Sequence, residues 1–227
     1  MLKLLAIAIF CLFSASLAIA SPKHIQLTYD LSRNGKQLAM VKESFTQTGN
    51  QYRIESITKG IGVYALMGER VLTSSGTLNK KGLKPVRFEL RQGNSAKKTL
   101  IADFDWAKNS LKMTVKGASK TEKLTAGTQD LASYAYQFMF NPPKQPTVKL
   151  NVTTGKKLSL YTYQVVARGL KIDAANNSFK TTQLINNGED KKQLWLAEGH
   201  YYLPVRYTLT DDNNDYFEQT LTKINVE

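Results

Sequence analysis

The sequence predicts a mainly β protein: an antiparallel β-barrel or strongly curved half-barrel meander enclosing one α-helix at about residues 130–141. Three observations carry this prediction. Apolar and polar residues alternate with period two along most of the chain, as in strands with one dry and one wet face. Turn residues such as Asn34-Gly35, Gly49-Asn50, Lys81-Gly82, Asn176-Asn177 and Asn186-Asn187-Gly188 separate the runs at hairpin spacing. One stretch, TQDLASYAYQFMF from Thr128 to Phe140, is instead apolar almost all the way round at helical spacing.

In chain order, Ile25, Leu27, Tyr29 and Leu31 alternate with Gln26, Thr28 and Asp30, and Asn34-Gly35 then supplies a type I′ hairpin signal. GIGVYALMGER, Gly60 to Arg70, breaks the rhythm, and its glycines fit either a helical turn or a bulged strand. Val86, Phe88 and Leu90 alternate with Arg87 and Glu89. Leu100, Ala102, Phe104 and Trp106 form the next inward row, and Leu111, Met113 and Val115 the one after it. Leu203, Val205, Tyr207 and Leu209 make a late strand, which Asp211 to Asp215 turns into the last one. No linker or break in composition divides residues 21–227, so they are expected to form a single domain.

The helix prediction rests on caps and stripes. Thr128 or Asp130 can cap the N-terminus, and Pro142-Pro143 prevents continuation. Leu131, Tyr134, Ala135, Phe138 and Met139 form one apolar stripe, Ala132, Tyr136 and Phe140 a second, and Asp130, Ser133, Gln137 and Asn141 a narrow polar line. A helix this apolar needs cover on most sides, and in a chain of strands only a curved sheet can supply it. Its length, roughly 18 Å, is close to that of a typical strand, so it is expected to plug a concave sheet.

Residues 1–20 read as a secretory signal: Lys3 is the positive n-region, an apolar run follows, and Ala18-Ile19-Ala20 is the cleavage site. The expectation is a periplasmic protein cut after Ala20, with no transmembrane segment in the mature chain, because the unbroken apolar core from Leu4 to Phe13 is too short to span. Phe10 stands where a lipoprotein signal carries a small residue, so lipid attachment at Cys11 is not expected. Cys11 is the single cysteine, and its loss with the signal leaves stability to a packed core. Lysine and arginine number 31 against 18 acids, a net charge of +13, or +12 without Lys3. Such a balance favours anionic lipids or glycopolymers as partners; nucleic acid is not expected in that compartment.

Catalytic and metal patterns are incomplete. The two histidines, His24 and His200, lie far apart, and no zinc spacing, nucleophile elbow or phosphate loop is whole. Asp103 and Asp105 share a strand face, but Phe104 and Trp106 take the apolar one, which turns both carboxylates to solvent, without the burial that acid catalysis needs. Asp211, Asn213 and Asp215 imitate the start of a calcium loop, yet Tyr216 replaces its glycine and Thr222 its closing glutamate. No enzyme activity, cofactor or metal is therefore expected.

KGLKPVRFEL (Lys81 to Leu90), DFDW (Asp103 to Trp106), TQDLASYAYQF (Thr128 to Phe138) and YLPVRYTLTDDNNDYFEQTL (Tyr202 to Leu221), in this order, resemble the bacterial envelope family known as domain of unknown function 3108. The resemblance implies an exported, mainly antiparallel β protein and supplies no activity. A sheet wrapped on a helix is also similar to periplasmic lipid-binding half-barrels, a likeness of architecture alone.

These expectations combine into one: a non-enzymatic protein that holds an apolar or amphipathic, lipid-like envelope molecule between sheet and helix. Leu131, Tyr134 and Phe138, with Tyr64 and Met67, would line the site, in a continuous apolar cavity of at least ~300 Å³. The competing expectation is an envelope interaction protein that docks on another protein or on an anionic glycopolymer and holds no internal ligand.

Overall fold

The computed structural model describes residues 22–93, 98–188 and 191–227; the expected signal at Met1–Ala20 lies outside them. The strands are β1 (His24–Arg33), β2 (Lys36–Thr48), β3 (Gln51–Gly60), β4 (Arg70–Asn79), β5 (Gly82–Gln92), β6 (Leu100–Asp105), β7 (Ser110–Val115), β8 (Ala118–Lys123), β9 (Gln129–Asp130), β10 (Thr147–Thr153), β11 (Leu158–Ala174), β12 (Asn177–Asn187), β13 (Lys191–Ala197), β14 (Leu203–Thr210) and β15 (Tyr216–Val226).

All fifteen belong to one sheet in the order β8-β7-β6-β5-β4-β3-β2-β1-β15-β14-β13-β12-β11-β10-β9. Every neighbouring pair but one is also consecutive in sequence. The exception, β1 on β15, joins the two ends of the chain through pairs such as Ile25↔Val226 and Leu27↔Ile224. Only β9 and β10 run parallel. The sheet ends at β8 and β9, so the closed barrel is not formed.

The alternation predicted in sequence is the alternation of burial. Ile25, Leu27 and Tyr29 on β1, Ala102 and Phe104 on β6, Leu111 and Met113 on β7, and Leu203 and Val205 on β14 are all buried. Asn34 and Gly35 both take positive φ, as the type I′ hairpin requires. Val86 departs from its predicted phase and is 48% exposed. The β4–β5 register shifts between Ser75 and Gly76, so that Arg87 and Pro85 find partners and Val86 does not; the bulge turns it outward.

The expected α-helix at 130–141 is not there. Residues 131–141 form a chain of turns in which only Tyr136–Met139 is a regular 3₁₀ turn. Helical i→i−4 bonds run from Tyr134 N–H to the Asp130 carbonyl, from Gln137 to Ser133 and from Asn141 to Gln137. They are interrupted by i→i−3 bonds from Phe138 to Ala135 and from Phe140 to Gln137. A helix of this length is marginal by itself, so tertiary partners decide its form.

Those partners are visible in the polar line. Between Gly82 and Lys84, β5 has β4 on one side, while its pairing with β6 covers only Arg87–Leu90. The vacant edge is completed by side chains: Gln137 Oε1 accepts from Leu83 N–H at 2.8 Å, and Gln129 Nε2 donates to the Leu83 carbonyl at 3.0 Å. Gln137 Nε2 and Asn141 Nδ2 both donate to the Lys81 carbonyl at 2.7 Å. Gly82 makes the close approach possible. Its φ is +93°, and a Cβ there would lie 2.6 Å from Gln137 Oε1 and 2.8 Å from Phe140 Cβ.

The segment is nonetheless buried, as its composition demands, and it feeds two different cores, with Leu131 against both and Met139 of the same stripe against the larger one. Tyr134 and Phe138 pack with Val152, Tyr161, Tyr163, Leu184, Leu194 and Leu196. Ala132 and Tyr136 join the larger core, which β1–β7 share with Phe179, Leu203, Val205 and Leu221, and there the Tyr136 ring stacks on Phe45 at 5.8 Å. Contacts such as Thr153 Oγ1 of β10 to Met113 Sδ of β7 at 3.2 Å and Ser74 Oγ of β4 to Asp130 Oδ2 of β9 at 2.7 Å cross from one arm of the sheet to the other. The sheet is therefore folded over upon itself. No helix among the described residues is long and apolar enough to cross a membrane.

Candidate functional site: charged groups on the inner face

Three strands carry a charged residue where the alternation calls for an apolar one. On β2, Glu43 stands in phase with Val41 and Phe45; on β4, Arg70 is in phase with Leu72 and Ser74; on β13, Lys192 is in phase with Leu194 and Leu196. The same pleat that buries the apolar members brings these three groups to the inner face. That phase is readable in sequence, and it is the signal that the motif search passed over.

Glu43 lies beneath the plug. Its carboxylate accepts hydrogen bonds from Ser56 Oγ and Tyr136 Oη, each at 3.1 Å. Burial raises its pKa by more than the two hydroxyls lower it. Asp130 is fully buried and anchors the start of the plug. Its Oδ1 accepts from the Ala132 and Ser133 N–H groups at 2.9 Å, and its Oδ2 accepts from Ser74 Oγ at 2.7 Å, which in turn meets Tyr52 Oη at 3.1 Å. Burial pushes the carboxyl up to about 6 against the pull of these donors. Asp130 is enclosed by the core it braces, whereas Glu43 is half-buried.

Arg70 is different. It is half-buried, and among the described residues no carboxylate pairs with it. Burial lowers the pKa of its guanidinium, and the phenol of Tyr207 is the group that offsets part of that effect. On the strand beside Tyr207, Lys192 is 9% exposed and holds its ammonium 4.6 Å from the centre of the Tyr161 ring. Register places Leu194 opposite Tyr207 and Lys192 opposite Leu209, so Lys192 lies diagonally across from Tyr207 on the same face. From Tyr207 a row of phenols, Tyr163 and then Tyr134, leads inward to Glu43. Tyr161 meets both Tyr134 and Tyr163 edge to face, with ring centres 6.1 and 6.3 Å apart. Two cations from opposing arms thus border a patch of aromatic rings and hydroxyls. Such a lining suits an anionic group attached to an apolar body.

The residues expected to line a ligand fall into two places. Tyr134 and Phe138 are buried in the second core, with Leu131 half-buried against it. Tyr64 and Met67 lie apart from them, on the connection between β3 and β4, where Met67 is 67% exposed. Two hollows open on the described surface. One of about 300 Å³ is walled by Glu43 together with outer-face groups including Gln26, Lys42, Glu55 and Lys223, and a shallower one of about 520 Å³ lies at the Asp173–Ser178 turn. Neither borders residues 131–141. Asp103 and Asp105 pair with Arg87 and Lys108 on the outer face. Among the described residues, no three histidine, aspartate or glutamate side chains gather as a metal site would need.

The model of the family described as Protein of unknown function (DUF3108) matches residues 28–222, nearly the whole described fold. The chain belongs to this family. No curated protein matches it. Of the family's matched span, the plug, the phenol row, Glu43, Arg70 and Lys192 all fall inside.

Proposed function

We propose that this DUF3108 protein is a non-enzymatic, periplasmic binder of an anionic amphipathic molecule of the cell envelope. The folded-over sheet serves as a half-barrel, and the head group is received at Arg70 rather than deep against the plug. The observation that carries this reading is Arg70 itself: a guanidinium on the inner face, half-buried, without a carboxylate partner among the described residues. A desolvated cation is costly unless something anionic completes it, and a bound carboxylate or phosphate would do so. Tyr207 flanks it, and farther along the same face Tyr161 and Lys192 add aromatic surface and positive charge.

The plug forms the floor of this site. Tyr134 closes it from below, whereas Phe138 holds the floor in place from within the second core. Acid–base chemistry has little support here, since Asp130 is enclosed and both it and Glu43 are occupied by hydroxyl or amide donors.

Titration with a naturally fluorescent polyene fatty acid tests the proposal. Arg70→Ala is expected to weaken binding by about 10–100-fold, the worth of one charge-assisted hydrogen bond, and Arg70→Lys to lie between. Equal affinity in a folded Arg70→Ala protein would remove the head-group site. A second reading, an envelope interaction protein with no internal ligand, is favoured because neither hollow is lined by residues 131–141. Under that reading the fatty acid does not bind wild type at all.

A further inference from the structure

The connection between β3 and β4 is built unlike any other turn of the described sheet. From Gly60 to Gly68, GIGVYALMG, it has no charged side chain and a single polar one, the Tyr64 hydroxyl. Gly62–Met67 forms a 3₁₀ turn with no buried residue. Ile61, Val63, Leu66 and Met67 are 42, 76, 91 and 67% exposed. A contiguous apolar projection of this kind on a water-soluble surface marks a contact with something apolar.

Its backbone is tied down internally. Tyr64 N–H donates to the Ile61 carbonyl at 3.2 Å, Gly68 N–H to Ala65 at 3.3 Å, and Ile61 N–H to the Leu38 carbonyl of β2 at 2.8 Å. Gln92 Nε2 holds the Met67 and Gly68 carbonyls at 3.0 and 3.3 Å. The tip therefore offers side chains to a low-dielectric medium while few of its peptide groups need water. In a 3₁₀ turn, residues three apart eclipse, so Val63 lies over Leu66 on one flank and Tyr64 over Met67 on another. A groove on a protein covers one flank; a fluid acyl layer surrounds both. Charge favours the same partner: Glu69, the acid that flanks the loop, is paired with Lys59 at 2.7 Å, Lys36 lies at the start of the neighbouring β2, and the chain carries +13 overall. Basic residues beside an apolar tip, with a tyrosine at its shoulder, are the composition that settles at an anionic bilayer surface.

We propose that the Ile61–Met67 loop inserts into the interfacial layer of a bilayer containing anionic lipids and so seats the β3–β4 end of the protein on the membrane. This contact does not require a ligand at Arg70: loss of fatty-acid binding with retained vesicle binding, or the reverse, separates the two proposals.

Flotation with phosphatidylglycerol–phosphatidylethanolamine vesicles, and with pure phosphatidylcholine as comparison, is the test. Wild type should float with the anionic vesicles, and Leu66→Asp with Met67→Asp should cut the bound fraction tenfold or more. Both positions are exposed, so the thermal unfolding of that variant should match wild type. In Leu66→Trp with Trp106 and Trp195 replaced by Phe, the introduced indole should shift its emission to the blue on anionic vesicles and be quenched by brominated acyl chains. Three results would overturn the proposal: equal flotation of the double aspartate variant, a water-like emission from the introduced indole in the presence of vesicles, or a dimer in solution that Leu66→Asp dissociates, which would make a second copy the cover of the loop.

Discussion

Phe138→Ala is expected to cost the fold about 3–5 kcal/mol, among the largest effects of any single truncation in this chain. Phe138 is 1% exposed and packs with Val152, Leu184, Leu194 and Leu196, on β10, β12 and β13. Removing the ring leaves a cavity that these residues, held by their ladders, cannot collapse to fill. The midpoint of thermal unfolding should fall by roughly 6–20 °C for a fold of this size. Leu66→Ala is the matched comparison, because Leu66 is 91% exposed and the same truncation should change stability by less than about 0.5 kcal/mol. Urea unfolding of both variants checks the pair. A mild effect at Phe138 would mean that residues 131–141 are a surface flap and not the plug between two cores.

Stability should also fall as pH rises from about 4 to about 6, and Asp130→Asn should remove most of that slope. The Asp130 carboxyl ordinarily titrates near 3.8, and in the fold burial pushes it up to about 6. Between those values the folded chain holds a proton that the unfolded chain has released. The stabilisation is therefore complete below the unfolded pKa and lost as pH passes through the folded one. The shift corresponds to about 3 kcal/mol, and above pH 6 to 7 its contribution is flat. Glu43, also raised by burial, acts in the same direction. Asp105, Glu198 and Asp215 are lowered in the fold, act with opposite sign and do so at more acid pH. In Asp130→Asn, Oδ1 can still accept from Ala132 and Ser133, and the amide can donate to Ser74 Oγ once that hydroxyl turns to Tyr52. Chemical denaturation at pH 4, 5, 6 and 7 reads the slope in both proteins. Parallel slopes would show that Asp130 is not the buried acid responsible.

The strands were legible because their cause is local: pleat, alternation and turn chemistry act within a few residues, as the buried row Ile25, Leu27, Tyr29 and the positive-φ pair Asn34-Gly35 show. The plug was legible in composition, although its first stripe is divided between the two cores, Tyr134 and Phe138 in one and Met139 against the other. Its conformation was not. Asp130, Ser133, Gln137 and Asn141 read as the wet side of a helix, whereas Gln137 and Asn141 complete the backbone edge of β5, about 55 residues earlier in the chain. Caps and stripes do not encode an unpaired edge elsewhere. Closure failed for a related reason, since whether a meander meets its own end depends on twist summed over fifteen strands. Of the candidate site, Tyr134 was found through its helical spacing; Arg70, Lys192 and Glu43 were signalled only by charge in an inward phase, which sequence offers without naming their partners.

The account rests most heavily on an anionic amphipath completing the Arg70 guanidinium. Native mass spectrometry of the protein, isolated without detergent from the cells that make it, reads this directly. Wild type should carry a bound acidic lipid-like molecule at one per chain, and Arg70→Ala prepared in the same way should appear bare. A bare wild-type mass, or the same adduct on both proteins, would contradict it.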